Sequence, residues 1–385
     1  MLIYTHMKIV FTGGGTGGHF FPIIAVAEQL NKIIDDDHIA EGKLYFFSDS
    51  DKFDKQALVE NGIKFVKVSA GKKRVGGGGL RNFFDLFKIA FGVVQAVIKL
   101  FIVFPDLVFS KGGYASFPTL VAARLFRIPV ILHESDSYPG RVNVWAGKFA
   151  KRIAISYKES AEFFPGQENK IAYTGQPIRQ EISMPTREGA YEFLGLEEGI
   201  PVIFIQGGSQ GAYIINYVVE EMLPKLVEKY QIIHQVGEMN LDQYKKMTDA
   251  ALITNKNKGR YKQFGFLNPL AMKMSAGVAD LVISRAGSSI FEIAEWKIPS
   301  IIIPIKKTNG DHQRKNAYNY ARSGSCVVVE EDNLQPNLLM SEISRILDDK
   351  KVYDEMVKSA SKFSTPAASE KIAKEIVEIA LSHEK

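Results

Sequence analysis

Three strand-to-helix turns, two of them glycine-rich, carry most of the chemistry this sequence could perform. The first, Gly13-Gly14-Gly15-Thr16-Gly17-Gly18-His19, follows the apolar run 8–12 and precedes Ile23, Ile24, Val26, Ala27, Leu30 and Ile33, which share one helical face. The amides of such a loop stand at a helix N-terminus, where unpaired N–H groups and the positive dipole end attract anions. Glycine also lets a ligand approach the backbone closely, so a phosphate, or a sugar carried on one, fits. Gly13, Gly15 and Gly18 satisfy the Gly-x-Gly-x-x-Gly pattern of dinucleotide sites as well, and a purely structural turn is a third reading. His19 falls on the first helical turn, where a neutral imidazole could accept a proton from a sugar hydroxyl or simply bond nearby backbone.

The second turn, Gln206-Gly207-Gly208-Ser209-Gln210-Gly211-Ala212, repeats the arrangement with a hydroxyl and an amide added, which suits the phosphates of a nucleotide. The third, Arg285-Ala286-Gly287-Ser288-Ser289-Ile290-Phe291-Glu292, follows the run 280–284; Glu292 could hold ribose hydroxyls or sit in a structural ion pair. Arg179 could supply a fixed cation. In 309–316, Gln313 and Asn316 can donate and accept in directions that suit sugar hydroxyls.

These turns need strands to hold them. Apolar runs at 8–12, 43–48, 63–68, 106–110 and 129–133, then 201–206, 231–236, 280–284 and 300–305, alternate with helical stretches. That alternation predicts α/β architecture with parallel sheets covered on both faces, as two Rossmann-like domains. Turn formers in 174–179 place the seam there: 1–176, then 177–364, with a last helical stretch in 365–385 returning to the first domain.

Bulk properties agree. At 385 residues the chain exceeds what one core supports. The net charge of +5 is spread along the chain, which disfavours nucleic acid as a partner. Cys326, the single cysteine, fits a reducing compartment and a buried strand. Residues 1–6 lack an export pattern. Asp35-Asp36-Asp37 and Asp49-Ser50-Asp51 have the spacing of metal-holding carboxylates, but without further ligands they read as solvated loops, and no metal is expected.

From residue 80 to 104 the polar or small residues Arg81, Asp85, Lys88, Gly92, Gln95 and Lys99 form one narrow stripe on an otherwise apolar helix. Lys72, Lys73, Arg74 and the glycines 76–79 precede Leu80, Phe83, Phe84 and Phe87, placing cations beside exposed aromatics. Such a pairing suits an anionic membrane surface; core packing is expected from Ile89 onward.

GGGTGGH at Gly13 to His19, KGGYAS at Lys111 to Ser116, HESD at His133 to Asp136, GQPIR at Gly175 to Arg179, GGSQGA at Gly207 to Ala212 and RAGSSIFE at Arg285 to Glu292 together resemble, in order and spacing, the MurG family of N-acetylglucosaminyltransferases. The resemblance spans almost the whole chain. It departs at His133-Glu134-Ser135-Asp136, where the family commonly reads His-Glu-Gln-Asn, and at the third turn, one residue shorter here.

The resemblance implies a GT-B fold, two Rossmann-like domains facing a cleft, with UDP-GlcNAc and polyprenyl-pyrophosphate-linked MurNAc-pentapeptide as partners at the cytoplasmic face of the membrane and no cofactor. It assigns Gly14, Gly15, Gly112, Gly113 and Tyr114 to the acceptor, whose diphosphate also lies near Thr16, Gly17 and Gly18. Those last three also meet the donor, with Asp136, Asn143, Arg179, Ser209, Gln210, Phe266, Leu267, Gly287, Ser288, Ser289, Glu292, Gln313 and Asn316. Phe266 and Leu267 would face uracil. His19 is the expected base and Glu134 its alternate. The rivals are a related transferase acting on diacylglycerol, a nicotinamide-dependent oxidoreductase, and a non-catalytic nucleotide-sugar-binding protein.

Overall fold

The structure, a computed structural model, describes residues 6–14, 17–36, 42–50, 54–71, 79–208, 211–306 and 309–382, with the side chains of 79–82 and 309 outside the description. The chain divides into two units, Met1–Arg179 with Ala367–Lys385, and Gln180–Pro366. Arg179 therefore belongs with the first sheet, where the sequence reading had set the boundary at 176.

In the first unit β1 (Met7–Thr12), β2 (Gly42–Ser48), β3 (Ile63–Lys67), β4 (Leu107–Ser110), β5 (Val130–Glu134), β6 (Arg152–Ile155) and β7 (Ile171–Tyr173) form one sheet in the order β3-β2-β1-β4-β5-β6-β7. Every pairing is parallel. Alternate side chains feed two cores. Ile9, Phe11 and Phe109 pack with helices Gly17–Asp36 and Ala368–Ala380. Val10, Val108 and Leu132 meet Ala96, Leu100 and Leu120 on the opposite face. Ile372, Ala373, Ile376 and Ala380 share one helical face and lie in the first of these cores, which is how the last helix comes to belong to this unit.

The second unit repeats the plan with β8 (Val202–Gln206), β9 (Gln231–Gln235), β10 (Tyr261–Phe264), β11 (Leu281–Ser284), β12 (Ser300–Ile302) and β13 (Cys326–Val328), ordered β10-β9-β8-β11-β12-β13 and again parallel. Ile203 and Ile205 enter one core and Phe204 the other. Cys326 is buried in its strand, and burial pushes its thiol well above the ordinary range. In both sheets the first strand of the unit lies between its second and fourth, so the chain reverses direction of travel across the sheet there, where doubly wound proteins leave a crevice at the carboxyl edge.

Helix Gly79–Val103 corrects an expectation. Much of its polar stripe faces the protein, with Lys88 reaching solvent: the Ser69 amide donates to Gln95 Oε1 at 2.9 Å, the Lys99 ammonium donates to the Lys67 carbonyl, and Asp85 is buried. A side chain at Gly92 would strike the Ser69 carbonyl, so that glycine permits the close approach. Phe83, Phe84, Leu86, Phe87, Phe91, Val94, Ile98, Phe101 and Ile102 are each more than half exposed. The expected core packing from Ile89 onward holds only for residues such as Ala96 and Leu100; the apolar face runs outward from Phe83 to Ile102. Burying such a side chain stabilises by about 1.5–3 kcal/mol, and this face forgoes it nine times over.

Candidate active site

Four neighbouring strand ends of the first unit converge. From β1 come Gly13 and Gly14, from β2 Ser48 and Asp49, from β4 Lys111 to Tyr114, and from β5 His133 to Asp136. The Ser48 hydroxyl donates to the Gly13 carbonyl at 2.8 Å, and the Tyr114 phenol to Asp49 at 2.9 Å. Burial first, then that bond, pushes the phenol up to about 12. Asp49 is therefore half-buried beside the glycine loop, not the solvated residue its spacing suggested.

His19 stands on the first turn of helix Gly17–Asp36 with Nδ1 2.7 Å from the Gly14 carbonyl. A carbonyl only accepts, so Nδ1 carries the proton and the lone pair of the neutral ring is on Nε2. Gly113 touches the same group: a Cβ there would lie 2.9 Å from the Gly14 oxygen and 3.0 Å from the His19 ring. With φ +80 and ψ 170, Gly113 occupies a conformation that is essentially glycine's alone. Thus the two glycine loops, read separately in the sequence, close on one another around His19.

Beneath them lies a buried ionisable cluster. The Glu134 carboxylate accepts from the Asp136 amide (2.9 Å), the Gly140 amide (3.1 Å) and Asn143 Nδ2 (2.8 Å). Desolvation, reinforced by Asp136, raises its pKa to about 7 against those donors. Lys111 is buried, with Nζ 2.5 Å from His133 Nδ1 and bonded to the Ser135 hydroxyl. Desolvation lowers the lysine to about 7 despite the two carboxylates, and holds His133 well below its usual value. Asn143 lies against Gly112 with its Oδ1 buried and unpaired. Asn143, which the resemblance assigns to the donor, thus touches Gly112 and donates to Glu134 and to the His133 carbonyl. Lys111 entered the sequence reading only as the first letter of a motif.

Arg179 stacks its guanidinium 4.1 Å above the Phe21 ring, two residues beyond His19, and its Nε is buried without a partner.

In the second unit the glycine loop after β8 has Gly208 at φ +79, with open space around it, and Gly211 at φ +74 against the Val236 carbonyl. Gln206 and Gln235 lie side by side in register, and Gln235 donates to the Gly208 carbonyl at 3.0 Å. His234 is bonded to Asn216 and Tyr261, and burial lowers its pKa to about 3. Gly287 stands open; Ser288 begins and Ser289 lies within helix Ser289–Trp296, the latter 3.2 Å from Ser284 Oγ, and Glu292 is half-buried on its first turn. Arg285 is anchored by Glu331 at 2.7 Å, a partner that no motif announced.

Two expected sugar contacts are engaged locally. Gln313 Oε1 accepts from the Ile305 amide at 3.1 Å, and Asn316 Nδ2 donates to the Ala286 carbonyl at 3.3 Å. Leu267 is buried in the core, leaving its backbone for any base, whereas Phe266 is half exposed. Gly15, Thr16, Lys72, Lys73, Ser209 and Gln210 lie outside the described residues, as does the Leu80 side chain.

The architecture has named relatives. Residues 9–155 match the glycosyltransferase family 28 N-terminal domain and residues 202–375 the glycosyltransferase family 28 C-terminal domain. The crystal structure of Acinetobacter baumannii MurG superposes with a TM-score of 0.71 at 22% identity, covering 97% of this chain and 99% of that one. The UDP-GlcNAc 2-epimerase of Neisseria meningitidis bound to UDP-GlcNAc gives 0.66 at 15% identity, over 98% and 100%. Together these define a two-domain glycosyltransferase of GT-B fold.

Among curated proteins, a UDP-N-acetylglucosamine--N-acetylmuramyl-(pentapeptide) pyrophosphoryl-undecaprenol N-acetylglucosamine transferase of Bacillus cereus is 35% identical over 360 residues, 91% of this chain and 94% of that protein. One from Clostridium botulinum is 34% identical over 351 residues, 90% and 92%. The chain belongs to this family, the MurG transferases.

Proposed function

We propose that the chain transfers N-acetylglucosamine from UDP-GlcNAc to the C4 hydroxyl of MurNAc in undecaprenyl-pyrophosphoryl-MurNAc-pentapeptide, with inversion at the anomeric carbon. The observation that carries this reading is the first-unit site, where His19, its proton held on Nδ1 by Gly14, stands between two touching glycine loops. The acceptor diphosphate binds the amides of the 13–18 and 112–114 loops. His19 Nε2 takes the C4 hydroxyl proton as that oxygen forms its bond to the sugar carbon and the bond to UDP breaks. Glu134, already accepting three hydrogen bonds, shapes the 136–143 loop.

The donor belongs to the second unit: its phosphates at Ser209, Gln210 and the Gly287 to Ser289 turn, its ribose at Glu292, uracil at Phe266 and the Leu267 backbone, and GlcNAc near Gln313 and Asn316. Helix N-termini and Arg179 neutralise the departing UDP, and no cofactor is called for. Turnover unchanged by EDTA is the expected result.

The outward apolar face of helix Gly79–Val103 supports a peripheral seat on the anionic cytoplasmic face of the membrane. Although Phe83–Val103 is long and apolar enough to cross a bilayer, its polar stripe is bonded to the domain, which favours lying on the surface. Replacing Phe91 and Phe101 by Ser should weaken binding to anionic vesicles by about tenfold or more.

Labelled GlcNAc transfer to the MurNAc-pentapeptide lipid, beside diacylglycerol, tests the reaction. Binding of UDP-GlcNAc with transfer only to diacylglycerol, or to neither, would overturn it.

A further inference from the structure

We infer that Lys111 and His133 are positioning residues which lock the acceptor loop to the segment carrying Arg179, through a histidine tautomer dictated at both ends. His133 is buried at the carboxyl end of β5. Its Nε2 lies 2.9 Å from the Gly175 carbonyl, which only accepts, so the neutral ring carries its proton on Nε2 and donates there. Nδ1 is left with a lone pair, and Lys111 Nζ, 2.5 Å away, donates to it. Lys111 opens the Lys111-Gly112-Gly113-Tyr114 loop, and its backbone amide donates to the Thr12 carbonyl at 2.9 Å. One end of the bridge is thus fixed to the acceptor loop and the end of β1.

The other end fixes the 175–179 segment. Gly175, at φ +84, turns the chain out of β7. Gln176, buried, accepts from the Ser156 hydroxyl at 3.2 Å, and the Ile178 carbonyl accepts from Ser369 at 3.3 Å. Arg179 then lands on Phe21 with Nε unpaired. Because the guanidinium is aimed by this segment and stands in no ion pair among the described residues, the Gly175 anchor governs where it points.

Ser135 contributes by its size and hydroxyl. It accepts the second Lys111 hydrogen bond in the place where the family commonly has glutamine. Without Lys111 the buried Nδ1 loses its donor. A proton moved to Nδ1 makes that atom a donor in its turn and sets the Nε2 lone pair against the Gly175 oxygen.

The inference rests on the proposed contact of Arg179 with the donor phosphates, and its test separates the two. In the full-length protein, nitrogen NMR at neutral pH should find His133 with a protonated Nε2 and an unprotonated Nδ1; an imidazolium or the opposite tautomer overturns the bridge without recourse to any variant. Lys111→Met should shift that tautomer signal and raise KM for UDP-GlcNAc about tenfold, one hydrogen bond's worth, with a smaller change in kcat. His133→Gln keeps a donor toward Gly175 that needs no tautomer, so adding Lys111→Met to it should change KM by no more than about twofold. An undiminished effect of Lys111→Met in that background, or a rise confined to the KM of the lipid acceptor, overturns the inference. If Arg179→Met leaves the donor KM unchanged, the assigned role of Arg179 fails while the NMR result stands for the bridge alone.

Discussion

The two glycine loops look alike in sequence and differ in what surrounds them. The loop after β1 is hemmed by side chains at or beyond the ends of two other strands, β2 and β4: a Cβ on Gly14 would lie 2.8 Å from Ala115 and 2.9 Å from Ser48. Ionisable groups crowd it, among them His19, Asp49, Lys111 and Glu134. In the loop after β8 only Gly208 owes its glycine to backbone conformation alone, since Gly211 also faces the Val236 carbonyl, and beside the loop lie two glutamines and a histidine that stays neutral. On the proposed function the two loops divide the work: the first moves a proton, and the second holds a charged ligand without exchanging one.

The largest expected effect tests the first half of that contrast. His19→Gln should lower turnover by roughly 10²–10⁴-fold while UDP affinity in a direct titration stays within error. Near-normal turnover would remove His19 as the base. Next, the alanines should separate. Gly113→Ala adds a collision with Gly14 and His19 to an unfavourable backbone, so initial rates should fall by at least about tenfold. Gly208→Ala meets nothing within 4 Å and bears only the left-handed backbone cost, about 1–2 kcal/mol, read as weaker UDP binding at nearly unchanged kcat. Equal loss of kcat in both would erase the distinction.

The smallest effect concerns stability. The folded pKa of His234, about 3, lies below the unfolded value near 6.5. The unfolded chain therefore takes up a proton that the folded chain refuses, so this contribution is full above pH 6.5 and is lost as the pH falls toward 3. Between pH 6.5 and 5 the loss is about 2 kcal/mol. Denaturant midpoints followed by a probe in the second unit should fall over that interval, and less so in His234→Gln.

Much of this was legible before any coordinates. Strands such as 8–12 and 202–206 are apolar at nearly every position because helices cover both faces of their sheets, and such runs need no partner to be recognised. By contrast β6, β7 and β10 are not legible, since Arg152–Ile155, Ile171–Tyr173 and Tyr261–Phe264 are only three or four residues long and lie at or near sheet edges, and β6 and β10 each include a charged residue. In the site, glycines announced the loops, but which loops meet depends on strand order. Asp49 reaches Tyr114 only because β2 and β4 flank β1, and Lys111 reaches His133 only because β4 lies beside β5. The polar stripe on helix Gly79–Val103 was equally plain, yet an amphipathic period defines an axis without saying which side looks inward.

On the proposed membrane seat, that outward face has a kinetic consequence. An enzyme seated on a bilayer by the length of one helix meets its lipid acceptor by diffusion in two dimensions, so its velocity follows the mole fraction of acceptor in the surface and is diluted by inert lipid even when the bulk acceptor concentration is constant. The donor arrives from the third dimension and obeys its ordinary molarity.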